Sequence, residues 1–256
     1  GRDCSEPFLN DGRYRELFCR GELMLPVADR LRSRLIAAGA DVSRTVVHRL
    51  PINLDLFRYQ PLDAGRGGQP LRLLSVGRLV EKKGLEVGVE AVASLVRQGI
   101  DVRYRIVGEG VERSRLEALI RDIGVEDRVT LCGALSQNAV AAEMAGCDLV
   151  VVPSRTAKSG DTEGLPNVVN EALASGRPVV ATRHAGIPEV VDDACGRLCK
   201  ENDAGALTEA LQAMLQARDR WPEMARVGRE RVGTMFDYRL VAERAEALYA
   251  SIGEAS

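Results

Sequence analysis

Two hydrophobic periods alternate between residues 70 and 182, and this alternation limits the fold more than any other feature of the chain. Short β-branched runs at Leu71–Val76, Val102–Val107, Val129–Leu131, Leu149–Val152 and Pro178–Thr182 read as buried strands. Longer stretches with helical spacing separate them. In Gly84–Gln98, Leu85, Val89, Val92, Leu95 and Val96 form one stripe, and Leu116, Leu119, Ile120 and Ile123 do the same in Val111–Ile123. Gln137–Ala145 and Pro166–Ala174 are further helices. Strand–helix–strand repetition with short connections predicts an α/β fold, a parallel sheet with helices on both faces. In such a sheet ligands bind at the carboxyl ends of the strands. The loops after Val76, Val107, Leu131, Val152 and Thr182 are therefore where chemistry is expected.

The first 50 residues read as the tail of another unit. Gly12–Gly21 is a basic helical stretch, Leu23–Leu25 a short strand before Pro26, Ala28–Ala38 a helix ended by Gly39, and Thr45–Leu50 a second strand. Two strands alone do not build a parallel sheet with its own core. Residues 58–70 are rich in Gly and Pro and read as a linker. Amphipathic helices follow the sheet at Ala204–Ala217, Pro222–Phe236 and Tyr238–Ile252, with a break at Phe236-Asp237. The expected organisation is a partial unit at 1–57, a linker at 58–69, the main domain at 70–236 and a terminal helix at 237–256 that returns towards the first unit.

Composition removes several classes. The 256 residues are 45% apolar and 28% charged, ordinary for a globular protein. A net charge of −2 argues against a polycation that coats nucleic acid. No apolar run approaches the ~18–20 residues of a membrane span. The opening Gly1-Arg2-Asp3-Cys4-Ser5-Glu6 lacks the apolar core of a signal peptide, and the first residue is not Met, as in a fragment or processed chain. The six Cys are scattered without a C-x-x-C, and Cys195-x3-Cys199 has no second pair at zinc spacing. A reduced, cytoplasmic protein with buried thiols and no structural zinc is expected. Lys is scarce, at Lys82, Lys83, Lys158 and Lys200 alone, so the adjacent Lys82-Lys83 pair is conspicuous.

Three segments carry candidate chemistry. Gly77-Arg78-Leu79-Val80-Glu81-Lys82-Lys83-Gly84 leaves a strand and opens a helix. Gly at the strand end permits close ligand approach, and Arg78 and Lys83 supply cations for phosphate oxygens. The segment is not a Walker loop, and a solvated loop with ordinary surface cations explains it equally well. Val107-Gly108-Glu109-Gly110 is a broken dinucleotide fingerprint, with Arg113 where a third Gly belongs; a tight turn accounts for it as well. In Asp161-Thr162-Glu163-Gly164-Leu165-Pro166, leading into a helix that contains Glu171 and exits at Gly176, Glu163 is explained in part by the helix dipole. Glu171 lies too deep in a short apolar helix for that. A carboxylate there is suited to accept two hydrogen bonds from a vicinal diol.

Glu163-x7-Glu171 enclosing Gly164-Leu165-Pro166 resembles the signature of retaining glycosyltransferases of family four. The following segment from Gly176-Arg177-Pro178 through His184-Ala185-Gly186-Ile187-Pro188-Glu189 is similar to that family's next motif, as is Gly77-Arg78-Leu79 with Lys83-Gly84. The resemblance extends over roughly residues 15–250, with the motifs in order. It implies a GT-B architecture whose carboxyl-terminal, Rossmann-like half binds a sugar nucleotide, accompanied here by part of a second Rossmann-like unit on the acceptor side. By resemblance, Arg78 and Lys83 hold the diphosphate, Glu163 contacts the donor sugar, and the Gly164 and Leu165 amides face the β-phosphate. Glu171 holds the ribose diol, and Gly77, Gly108 and Leu135 border the nucleotide. The implied reaction moves a hexose from a nucleotide-diphosphate sugar to a sugar or lipid-linked acceptor with retention of configuration, in polysaccharide biosynthesis, without metal or cofactor. Fixed cations and helix amides are then needed to stabilise the departing diphosphate.

A complete family member has a longer amino-terminal domain, with a glycine-rich loop and often an acceptor-side His; Gly1-Arg2-Asp3 resembles a point inside that domain. The chain is therefore expected to bind nucleotide yet transfer almost nothing, with strand edges unpaired in residues 1–50. Arg13, Arg15, Arg20, Arg30, Arg32 and Arg34 are placed either on a solvated helix face or against anionic lipid at the inner membrane surface. His184 is either a donor contact or a structural residue, and Thr156–Thr162 is expected to help select the sugar. Competing readings are a nucleotide-sugar-binding module that catalyses nothing, a sugar-nucleotide epimerase of the same architecture, and a dinucleotide-dependent oxidoreductase, the last disfavoured by the broken Gly motif.

Overall fold

The computed structural model describes residues 14–62 and 69–253. Six parallel strands form one sheet: β1 (Leu71–Val76), β2 (Val102–Val107), β3 (Val129–Gly133), β4 (Leu149–Val152), β5 (Val179–Thr182) and β6 (Gly196–Cys199), in the order β3-β2-β1-β4-β5-β6. This Rossmann-like order reverses direction between β1 and β4, which makes their carboxyl ends the topological switch point.

The alternation of side chains explains why both faces are covered. Leu71 and Leu73 point into one apolar cluster and Leu74 into the other. The first cluster gathers α3 (Leu85–Arg97), α4 (Arg113–Ile123) and α7 (Ala204–Gln216); the second gathers α5 (Gln137–Gly146) and α6 (Asn167–Ala174); α8 (Trp221–Phe236) gives Trp221, Met224 and Ala225 to the first and Val232 and Phe236 to the second. One polar network crosses the first layer. The Ser75 hydroxyl donates to the Val151 carbonyl, so the Tyr104 hydroxyl, 2.7 Å away, donates to Ser75 Oγ. Tyr104 occupies the space that a side chain at residue 88 of α3 would take, which is why Gly88 sits inside that helix.

Several expectations need correction. Strand β6 has no counterpart among the expected strands; it is a four-residue edge strand containing Gly196 and Arg197, and pairing to β5 rather than an apolar run defines it. The expected strands at 23–25 and 45–50 shrink to a single bridge, Met24 to Thr45, supported by Val46 N–H to the Met24 carbonyl and His48 N–H to that of Pro26. Helix α4 begins at Arg113, because Val111 is exposed in the preceding turn. Of the first helical stretch, Arg15–Arg20 (α1) is helical; residues 12 and 13, with Arg13, and Cys4 lie outside the described residues.

The amino-terminal segment is anchored rather than loose. Helix α2 (Asp29–Ala37) receives the Glu189 carboxylate at its start, on the Asp29 and Arg30 amides at 2.9 Å each. Arg49 bridges Asp29 and Glu189 at 2.7 and 3.1 Å. Ile52 bonds across to residues 236 and 238, at the break between α8 and α9 (Tyr238–Gly253). Within the expected linker, residues 63–68 lie outside the described residues; Gln60 N–H bonds the Ser175 carbonyl, Tyr59 lies against Gly176, and Leu62 is buried. Buried thiols are found at Cys147, Cys195 and Cys199, but Cys19 is exposed and Cys132 half-buried. Among the described residues, no helix is long and apolar enough to cross a membrane.

Candidate functional site

The loop leaving β1 is fixed against the chain leaving β4. After a one-turn helix at Glu81–Lys83, Gly84 takes φ +59°, and a Cβ there would collide with the Pro153 carbonyl. The loops after β1, β2 and β3 are laced by backbone bonds: Gly77 to Val107, Leu79 to Glu109, Gly108 to Gly133. Gly108 adopts φ +141° with no room for a side chain before the Gly77 carbonyl. These contacts bring Gly77, Arg78 and Gly108 to one edge. Leu135 follows β3 there and is partly exposed. Arg78 is exposed, and its guanidinium has no partner among the described residues.

The one-turn helix sends its two lysines to neighbouring points. Lys82, only 6% exposed, reaches Asp161 Oδ1 at 3.2 Å and the Thr162 carbonyl at 3.3 Å. Lys83 passes beside Gly77 and places its ammonium 3.2 Å from Glu163 Oε1, with Lys82 Nζ at 3.9 Å from the same oxygen. Glu163 is thus clamped between two ammonium groups. Yet Oε1 is buried and accepts no hydrogen bond, because Lys83 is near but out of line. An aligned donor from outside the chain would complete it.

The segment holding Glu163 is itself held by His184, which is 1% exposed. The Glu163 N–H lies 3.2 Å from His184 Nε2 and can only donate, so Nε2 is the unprotonated nitrogen. The Thr162 hydroxyl, at 3.0 Å, therefore donates to Nε2 as well, and Nδ1–H donates to Glu201 Oε1 at 2.9 Å. The neutral ring joins the loop after β6 to the loop before α6. Between those loops and α2 lies a cavity of about 280 Å³, lined by Arg30, Arg34, Thr156, Glu163, Gly164 and His184 among others. Of the expected site residues it takes Glu163 and Gly164; Arg78, Gly108 and Leu135 do not line it.

Just before α6 the Gly164 and Leu165 amides donate to no group among the described residues, while the Leu165 side chain is buried in the second apolar cluster. Inside α6, burial pushes the Glu171 carboxyl up to about 6, against the opposing field of Lys83. Its carboxylate accepts no hydrogen bond from the described residues. Next to it, Asn170 is fully buried with both amide atoms unpaired. Lys82, Thr162 and Glu201 also shape the site; the sequence places Lys82 in the first candidate segment and Thr162 in the loop expected to help select the sugar, but does not mark Glu201. The adjacent lysines are a visible signal, but their directions depend on Gly84 and the turn.

Residues 63–231 match the family model for glycosyl transferases group 1. The chain is 38% identical over 241 residues to the putative colanic acid biosynthesis glycosyltransferase WcaL of Escherichia coli (strain K12), covering 93% of this chain and 59% of that protein. It is 38% identical over 240 residues to the amylovoran biosynthesis glycosyltransferase AmsK of Erwinia amylovora, covering 92% of this chain and 58% of that protein. The chain thus spans somewhat under two thirds of these relatives. Among solved structures, Anabaena Alr3699/HepE in complex with UDP superposes with a TM-score of 0.79 at 22% identity, over 90% of this chain and 64% of that one.

Proposed function

Because the chain belongs to the glycosyl transferases group 1, we propose that it is the donor-binding half of a retaining enzyme of glycosyltransferase family four, carrying that family's E-x7-E signature. In this reading it moves a hexose from a nucleotide-diphosphate sugar to a sugar or lipid-linked acceptor. The observation that carries the proposal is Glu163 Oε1: a buried carboxylate oxygen, charged against two lysines, short of one hydrogen bond, at the carboxyl edge of a Rossmann-like sheet. A sugar hydroxyl is the donor such an oxygen lacks. A hydrogen bond of that charge-assisted kind is worth ~1.5–3 kcal/mol.

The same proposal assigns the other roles by the resemblance. Arg78 and Lys83 hold the diphosphate, with Lys83 shared between it and Glu163. The Gly164 and Leu165 amides face the β-phosphate at the start of α6. Glu171 accepts from the ribose diol, and Gly77, Gly108 and Leu135 border the nucleotide. Catalysis then consists of stabilising the diphosphate as it leaves, while its oxygen helps deprotonate the acceptor on the same face of the sugar. No cofactor or metal takes part. The names of the colanic acid and amylovoran relatives support polysaccharide biosynthesis; the proposal places this activity in the cytoplasm, at the inner face of the membrane.

Calorimetry on Glu163→Gln tests the assignment. The wild-type chain should bind a sugar nucleotide more tightly than the matching nucleoside diphosphate. The variant should lose that difference, while its affinity for the diphosphate stays or rises because Lys83 is released. Wild-type affinities that are equal, or a difference that survives in the variant, refute the role of Glu163.

A further inference from the structure

The cavity beside Glu163 has two walls, and the wall supplied by α2 is positively charged without compensation. Arg30 and Arg34 stand one turn apart on that helix and both line the cavity. This is a like-charge spacing that weakens a helix. Four other arginines of the same segment are occupied, whereas Arg15 on α1 is exposed and lines no part of the cavity. Arg32 donates to the Thr45 and Val42 carbonyls, Arg44 to Gly21 and Asp41, Arg49 to Asp29 and Glu189, and Arg20 pairs with Glu16. The Arg30 and Arg34 guanidiniums have no partner among the described residues. The carboxylates facing them are already engaged. Glu163 sits between Lys82 and Lys83, and Glu201 accepts from His184 and from the Thr156 amide. The helix amides are engaged too, since Glu189 caps them.

We infer that Arg30 and Arg34 form the seat for an anionic group on the acceptor, a phosphate or a carboxylate, held across the cavity from the donor sugar. This rests on the reading of Glu163 as the sugar contact and adds the chemical class of the other substrate. A guanidinium pair matches either anion through bidentate, doubly charged hydrogen bonds, whereas a neutral hydroxyl accepts from it more weakly and an apolar chain not at all. The cavity takes in Glu163 and Gly164 but not Arg78, so the seat adjoins the place assigned to the donor diphosphate, and the nucleotide arm of the test separates the two.

The test is calorimetry on the chain, alone and saturated with UDP or GDP. The probes are glucose 1-phosphate, glucuronate and methyl glucoside. The wild type should bind at least one anionic probe about 10- to 100-fold more tightly than the neutral glycoside. The phosphate and carboxylate arms show which anion is preferred. Arg30→Gln/Arg34→Gln should abolish the preference and leave nucleotide affinity unchanged. Arg30→Lys/Arg34→Lys should keep part of it. Equal binding of charged and neutral probes overturns the inference, as does a preference that persists in the double Gln variant. A matching loss of nucleotide affinity in that variant also overturns it, by assigning the guanidiniums to the donor. If neither protein binds UDP or GDP, the donor reading fails, and the probe titrations still decide the seat. Neither arginine side chain has a partner to lose, so neither variant should melt below the wild type, and the double Gln variant should melt slightly higher as the like-charge pair is removed.

Discussion

Replacing His184 separates a ring that merely fills space from one that sets the position of Glu163. His184→Ala leaves the Glu163 amide and the Thr162 hydroxyl without their shared acceptor, and Glu201 without its donor. Three net hydrogen bonds at ~0.5–1.5 kcal/mol each give ~1.5–4.5 kcal/mol. Because the ring borders the cavity, water can reach the orphaned groups, which favours the lower half of that range. About 2 kcal/mol lowers the melting temperature by roughly 4–8 °C in a chain of this size. Stability alone does not identify the role, but two conservative variants do. A Gln carbonyl reaches towards the place of Nε2 and can accept from Glu163 and Thr162. An Asn amide reaches only the place of Nδ1 and can donate to Glu201. If the ring positions Glu163, Gln should restore the preference for sugar nucleotide over nucleoside diphosphate, measured by calorimetry, and Asn should not. A variant series in which Asn rescues binding and Gln behaves like Ala would refute the positioning role.

The parts of this fold that are legible in the sequence are those where a strand is buried on both sides. Leu149–Val152 has four apolar residues because helices cover both its faces, and its bounds are the same in sequence and structure. The edge strand β6 is hidden for the converse reason: Arg197 and Leu198 are only half-buried, so partner geometry and not composition makes Gly196–Cys199 a strand. The site divides in the same way. Arg78, Lys83, Glu163 and Glu171 are visible because their charges interrupt apolar or glycine-rich patterns next to strand ends. The His184–Glu201 pair spans two loops, and only the adjacency of β5 and β6 joins them. Lys82 and Lys83 look alike in sequence. The left-handed turn at Gly84 and the close Pro153 carbonyl decide that one is sealed against Asp161 while the other passes beside Gly77 to Glu163. Arg30 and Arg34 are visible only as members of a basic cluster; which guanidiniums stay unpaired depends on the carbonyls and carboxylates that fold around the others.

Arg78→Ala should weaken nucleoside diphosphate binding about 10- to 150-fold, the loss of one charge-assisted contact of ~1.5–3 kcal/mol, with no change in melting because the exposed side chain has no described partner; unchanged affinity would reject its phosphate role. Asn170→Leu should leave the chain as stable or raise its unfolding free energy by about 1 kcal/mol in a denaturant titration, since both amide atoms are buried unpaired; a loss above ~2 kcal/mol would show that the site is too tight for the extra volume or that the amide has a partner. Glu171 gives a prediction in pH. Burial is the chief cause that raises its carboxyl from the ordinary 4.5 to about 6, so the fold favours the protonated form. That contribution is fully present below about pH 4.5 and is lost as the pH rises through 6. Each tenfold change in the proton equilibrium is worth ~1.4 kcal/mol, so the ionised carboxylate costs the empty fold on the order of 2 kcal/mol at neutral pH. Glu171→Gln should therefore melt higher than the wild type at pH 7, with the gap closing towards about pH 4.5. Ligand binding should run the opposite way, because a ribose diol donates to the ionised carboxylate. Wild-type affinity for a nucleoside diphosphate should rise from about pH 5 to pH 7, relative to a 2′,3′-dideoxy analogue that lacks the diol and shares every phosphate titration. The Gln variant should show no such relative rise. If the two ligands keep a constant ratio across that range in the wild type, Glu171 does not read the ribose.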